Sequence, residues 1–258
     1  MTPVWAAHSF TINDVVSKGS QPYYEDDRNN GEDNRRYSKV FSIGGERSIR
    51  NYEMIPFSQD SSISPIYKAL PIDYDRNDYI RGLLIGRDFV PNTRQFQQSI
   101  LTMSNTVPMT ARFKKRVWEK VDQLAINILK DAPDSRIHMV SGVLYDPNLT
   151  TFKNGVVVNS VNRKVAVPDA YFRLFYVEDK KRMYAVMIPR KDAGRALYKY
   201  TLPVDEVERL SGYNFFSWVD DSTEINQERK TGNLKFHTPK TNNGEQVDLG
   251  KAFLSIFK

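Results

Sequence analysis

The chain has 258 residues, 40% hydrophobic and 26% charged, with a formal net charge of +6 and no cysteine. Those proportions belong to a globular protein of one or two domains with a real core, not to a disordered or fibrous one. The missing cysteines exclude disulfides, thiolate nucleophiles and cysteine zinc sites together.

The basic excess fits an acidic partner, such as nucleic acid or an anionic membrane surface, and equally fits an ordinary solvated face. Only three histidines occur, His8, His138 and His237, in no paired spacing, so a histidine metal site is not expected. No apolar run nears the ~20 residues of a spanning helix, so membrane insertion is not expected. The N-terminus, MTPVWAAHSF, lacks a basic region ahead of a long apolar core, and no signal peptide is expected.

Residues 17–37 are polar and mixed in charge, rich in Asn, Asp and Gly, and without an apolar period to bury. They read as a surface loop or disordered lead-in. The domain division that follows is a polar extension over 1–37, a folded domain over 38–220 and a C-terminal extension over 221–258 that packs on the domain or trails from it. The first strands are expected at YSKVFSIGG, which alternates and then turns at Gly44-Gly45, and at RNYEMIPF.

The clearest helix is expected from about Thr110 to Lys130. Phe113, Val117, Val121, Leu124 and Ile128 recur at steps of three and four and form one apolar stripe; Pro133 enforces the end. RIHMVSGVLY and VVVN are strand-like. AYFRLFYVE, the turn Asp179-Lys180-Lys181 and RMYAVMIP form a hairpin, and strands so continuously apolar call for a sheet covered on both faces. A short helix, PVDEVERL, starts at Pro203 and stops at Gly212. Beyond Trp218 the chain turns polar, and TPKTNNGEQ reads as a mobile segment.

One stretch lacks the chemistry its setting suggests. DYIRGLLIGRDF, Asp78 to Phe89, sets an Arg-Gly pair on an apolar run, with no His, Cys, Ser or Lys at its centre. From Ile80 onward, IRGL (80–83), SNTVPM (104–109), KKRVWEKVD (114–122), SGVLY (141–145), VAVPDAYFR (165–173) and VDEVERLSG (204–212) follow in order. This series resembles the DNA/RNA non-specific nucleases of the ββα-metal class, which include mitochondrial endonuclease G. That family carries DRGH, SNxxPQ and NxxxWxxxE at comparable spacing, so the resemblance covers about residues 40–219.

The resemblance implies an α+β fold, with a largely antiparallel central sheet flanked by helices and a ββα unit near residues 80–129. It also implies which chemistry is missing. Leu83 stands where the family has its general base, a histidine. Lys114 stands where it has the asparagine that ligates a single Mg²⁺. Ile80 and Met109 replace an aspartate and a glutamine, and Asp122 replaces a glutamate one methylene longer. A leucine offers no lone pair to take a proton from water. An ammonium cannot ligate a divalent cation and repels it. No catalytic residue and no metal ligand is therefore expected, and no cofactor.

Three readings follow from these substitutions. The main one is a catalytically inactive nuclease-like protein with a binding or structural role in a larger assembly. The second is a divergent Mg²⁺-dependent endonuclease, rescued by carboxylates such as Asp73, Asp75, Asp78 or Asp88. The third is a nucleic-acid binder that does not cut, using Arg81, Arg112, Lys114, Lys115 and Arg116 against phosphates. For each cation the bland alternative is loop bracing by Arg81 or a solvated helix face for the others. His138, in an apolar strand, reads as a structural histidine and not a base. The family sets two further expectations, a homodimer and a mitochondrial or other intracellular compartment, the second in keeping with the missing cysteines.

Overall fold

A computed structural model describes residues 5–16, 57–64, 69–74, 78–91, 93–145, 151–153, 164–192, 196–232 and 234. In chain order the regular elements are β1 (Trp5–Phe10), α1 (Ile12–Val16), β2 (Tyr79–Leu83), α2 (Arg94–Ile100) and β3 (Thr106–Thr110). A continuous helical run follows: α3 (Ala111–Phe113), a π-helical turn (Lys114–Trp118) and α4 (Glu119–Asp131). Then come β4 (Ile137–Leu144), β5 (Thr151–Lys153), β6 (Lys164–Ala166), β7 (Ala170–Val177), β8 (Arg182–Pro189), β9 (Thr201–Leu202), α5 (Val204–Ser211) and α6 (Asp221–Glu228).

The main sheet has five strands in the order β1-β4-β7-β8-β9, every pair antiparallel. β7 explains why its sequence is almost wholly apolar: all eight of its residues are buried. Successive side chains of a strand point to opposite faces. Tyr171 and Phe175 accordingly join the core under α4 with Val117, Trp118, Val121 and Leu124. Phe172, Leu174 and Tyr176 join a second core under α5, with Val207, Phe215 and Phe216. The sheet is covered on both faces, as its hydrophobic runs require.

The helix boundaries follow from local chemistry. Thr110 caps the long helical run, its Oγ1 accepting from Phe113 N–H at 3.1 Å. α5 ends at Gly212, whose φ of +74° is the left-handed conformation that glycine adopts without strain.

The fold begins earlier than the boundary expected at residue 38. Trp5–Phe10 form the edge strand β1, in register with β4 from Trp5↔Gly142 to Phe10↔Ile137. The long polar run misplaces that boundary because it follows the first strand. The strands expected at YSKVFSIGG and over most of RNYEMIPF, the VVVN strand and the TPKTNNGEQ segment all lie outside the described residues. At the other end α6, within the stretch set apart as a C-terminal extension, packs on α5 and β8. No described helix is long and apolar enough to cross a membrane.

Candidate functional site

β2 and β3 form a separate antiparallel pair, with Ile80 opposite Met109, Gly82 opposite Val107 and Leu83 opposite Thr106. The chain then passes straight from β3 into the long helical run, which completes a ββα unit. Tyr171 of the main sheet ties this unit down, its hydroxyl donating to the Pro108 carbonyl at 2.5 Å. Burial pushes the Tyr171 hydroxyl far above the ordinary phenol range, so it serves only as a neutral donor. The indole N–H of Trp118 donates to the Leu83 carbonyl at 2.9 Å and fixes the helix against the end of β2.

The two short strands touch closely at Gly82. A Cβ there would meet Met109 Sδ at 2.4 Å and Met109 Cγ at 2.5 Å. Gly82→Ala is therefore expected to destabilise the protein by about 1–3 kcal/mol. A second change, Met109→Ala, should recover part of that loss in urea unfolding.

Leu83, at the place of the family's general base, is buried among Phe57, Ala69, Tyr74, Leu101, Met103 and Val165. Ile80 packs half-buried against the main core, and Met109 is fully buried within it. Arg81 is only 7% exposed, its guanidinium carbon 4.6 Å from the centroid of the Phe57 ring. That stacked, enclosed setting suits bracing rather than contact with a phosphate in solvent. Asn105 is likewise spent on structure. Its Oδ1 accepts from Ile85 N–H at 2.9 Å, while Nδ2 donates to the carbonyls of Ile85 at 3.0 Å and Ile100 at 2.9 Å.

The helical positions divide cleanly. Arg112, Lys115, Arg116 and Lys120 are exposed, Lys114 is half-buried, and Val117 and Trp118 face inward. Lys114 starts the π-helical turn, a local irregularity that often marks functional positions in helices. The expected basic residues thus separate: Arg112, Lys115 and Arg116 face solvent along the helical run, where Lys120 joins them, Lys114 is half-buried, and Arg81 lies in the interior.

Asp122 is held by a partner that sequence reasoning did not single out. Its Oδ1 accepts from Nη1 of Arg173 at 2.5 Å. Arg173, in the middle of β7, is completely buried. Its Nε donates to Ser141 Oγ at 2.9 Å and its Nη2 to the Leu84 carbonyl at 2.8 Å. Its guanidinium carbon lies 4.5 Å from the Trp118 ring centroid and 5.6 Å from that of Phe89. One side chain thus joins the sheet, the helix and the loop after β2. The available signal was a lone arginine inside eight otherwise uncharged strand residues, since a buried guanidinium requires an acidic or carbonyl partner.

These positions do not fit a divalent cation. The Lys114 ammonium has no lone pair to give, Leu83 is hydrocarbon, and Oδ1 of Asp122 is engaged by a guanidinium whose positive charge opposes a cation beside it. Among the described residues the neighbouring acids do not reassemble a ligand set. Asp73 is buried with its Oδ2 accepting from Leu70 N–H at 2.8 Å, Asp78 and Asp88 are exposed, and Asp75 lies outside the described residues. Among the described residues, the one group of three acids close enough to share an ion is elsewhere: Asp205, Glu208 and Glu228. His138 is structural in its surroundings. Its Nδ1 lies 2.8 Å from Ser9 Oγ, and its ring is flanked by Tyr176 and Trp218.

A helix packed across a two-stranded antiparallel unit, beside a larger antiparallel sheet, defines the ββα nuclease class. The chain matches the DNA/RNA non-specific endonuclease family over residues 2–222, and it belongs to that family. It is 24% identical over 174 residues to nuclease C1 of Cunninghamella echinulata var. echinulata, covering 65% of this chain and 68% of that protein. It is 22% identical over 178 residues to a nuclease of Nostoc sp. (strain PCC 7120 / SAG 25.82 / UTEX 2576), covering 64% of this chain and 61% of the relative. With the mitochondrial nuclease EXOG of Danio rerio it shares 23% over 175 residues, 64% of this chain and half of that protein. Among solved structures, a chain from a complex titled EndoG/EndoGI superposes with a TM-score of 0.56 at 19% identity. That superposition covers 86% of this chain and 81% of the other, and it shows the shared fold.

Proposed function

We propose that this protein is a pseudonuclease: a member of a nuclease family that binds a partner on the inherited scaffold and does not cleave phosphodiesters. The observation that carries this reading is the occupancy of the reacting centre. Where hydrolysis needs a base and a metal-ligating face, the chain has Leu83 sealed in a hydrophobic cluster and Asp122 tied to Arg173. General base catalysis alone is worth about 10²–10⁴ in rate, and the transition-state charge is left without its ion.

The exposed ridge of Arg112, Lys115, Arg116 and Lys120 is the surface offered to a partner, and a polyanion suits its charge. Fluorescence anisotropy with labelled single-stranded DNA and RNA tests this part of the reading. Four neutralised phosphates correspond to a log–log salt slope of about −3 on a single strand. Lys115→Glu with Arg116→Glu is expected to weaken binding and to flatten that slope by about 1.4, roughly half of its value. Affinity that ignores both salt and these substitutions would shift the reading toward a protein partner. The likeness to a chain solved as part of an EndoG/EndoGI complex supports that second kind of partner, and a homodimer or larger assembly is proposed with it. A mitochondrial site of action is proposed by likeness to the Danio rerio protein that is named mitochondrial.

A further inference from the structure

We propose that the aromatic cleft between β1 and residues 213–218 is a docking site for a proline-rich peptide in the polyproline II conformation. On the side of the main sheet away from the long helical run, Ala7 and Ser9 of β1 stand opposite Val140 and His138 of β4. The loop after α5 rises beside them, and the cleft enclosed has a volume of about 250 Å³. Of the large apolar side chains left exposed among the described residues, Trp5, Tyr213 and Trp218 all line it, at 42%, 43% and 61% exposure. Exposed aromatics gathered in one place mark a binding surface, whereas scattered ones do not.

The rings meet edge to face. Trp5 lies 6.2 Å from Tyr213 at 69° and 5.9 Å from Phe215 at 85°. Trp218 lies 5.4 Å from His138 at 63° and 5.4 Å from Phe216 at 77°. Two aromatic corners result, with the small side chain of Ala7 between them along the strand. Trp5 and Ser9 are four strand residues apart, about 13 Å. Two prolines one polyproline II turn apart are separated by about 9 Å, so a Pro-x-x-Pro segment fits within that length. The free carbonyls of such a segment make no internal hydrogen bonds, and the indole N–H groups, Asn214 and Ser217 supply neutral donors.

Charge decides against a nucleic acid at this place. Among the described residues no aspartate, glutamate, lysine or arginine lines the cleft, and a single strand needs a positive groove along its backbone. The nearest acid repels phosphate: Glu178 Oε2 lies 3.5 Å from His138 Nε2. The same carboxylate favours a basic residue next to the prolines. The loop is also held ready. Phe216 is buried at a φ of +56°, a left-handed conformation that a bulky residue rarely takes. That turn sends Phe216 into the second core and leaves Trp218 exposed, while Glu208 Oε1 accepts from Phe215 N–H at 2.6 Å. Strain of this kind persists where the surroundings enforce it, and it clusters at ligand clamps. A cleft formed in advance has little left to order on binding. It shares no residue with the ββα unit, so its occupancy is independent of whether the chain cleaves phosphodiesters.

The tryptophans supply the readout. The chain has three, and the third, Trp118, is buried in the other core. Decaproline ending in one arginine, titrated into the ¹⁵N-labelled whole chain, should shift the indole signals of Trp5 and Trp218 saturably and leave that of Trp118 in place. Each signal is assigned by its loss in the matching alanine variant. Trp218→Ala should weaken binding about tenfold or more, as expected for an aromatic anchor. Trp5→Ala carries the same expectation should Trp218→Ala fail to fold. A peptide with alanine at every proline should bind far more weakly. Silence of both indoles at millimolar peptide, equal shifts with the alanine peptide, or affinity that neither substitution lowers overturns the proposal. So does tighter binding of oligothymidine or cellohexaose, or movement of the two signals on dilution of the protein alone, which would make the occupant a second copy.

Discussion

Replacing Arg173 by methionine is expected to destabilise the fold by about 3–5 kcal/mol, read as a lower midpoint in urea unfolding followed by circular dichroism. The side chain is completely buried, and its three nitrogens serve Asp122, Ser141 and the Leu84 carbonyl. Removing it leaves a carboxylate that is only 19% exposed without its counter-charge and strips two further buried acceptors of their donor. It also removes the guanidinium from over the Trp118 and Phe89 rings. Replacing both members of the pair, as Arg173→Met with Asp122→Leu, should cost far less than the two single changes added together, because no unpaired charge then remains inside. A single variant within 1 kcal/mol of the parent would show that the pair is not what joins helix to sheet.

This contact also connects stability to function. Asp122, which stands where the family has a glutamate, is here the ion-pair partner of Arg173 across the sheet–helix interface. The same pair shows where sequence reading stops. Asp122 and Arg173 lie 51 residues apart, and no local period or motif spacing relates them. What could be read was the lone cation in an uncharged strand.

Local chemistry made much of the rest legible. The stripe from Phe113 to Ile128 gave the long helix almost to the residue, and Gly212 gave the end of α5. The largely apolar runs of β7 and β8, broken in β7 by Arg173 alone, implied a sheet buried on both faces, which two cores confirm. β1 escaped because WAAHSF is short, and as an edge strand its first five residues alternate between exposed and half-buried, so no strong apolar period marks it. The π-helical turn at Lys114 to Trp118 escaped as well, since the apolar stripe continues through it unbroken. At the candidate site, Leu83 and Lys114 were legible as departures from the family pattern. That Leu83 is enclosed by residues from distant segments, Phe57 and Val165 among them, depends on tertiary packing.

The proposed loss of catalysis carries the largest expected effect in rate. Hydrolysis at neutral pH requires a group to take the proton from water and an ion or donor to bear the growing phosphate charge. Leu83 can do neither, and Lys114 could steady a phosphate as a point charge without activating a nucleophile. Of the carboxylates weighed for a rescued metal site, exposed Asp78 and Asp88 belong to no close acidic group among the described residues.

The decisive measurement is the rate at which the purified chain nicks supercoiled plasmid and degrades RNA with Mg²⁺ or Mn²⁺ at neutral pH. The expected result is a rate indistinguishable from a metal-only blank, unchanged by Asp88→Ala. Metal-dependent turnover well above that blank, abolished by Asp88→Ala or Asp75→Ala, would contradict the account.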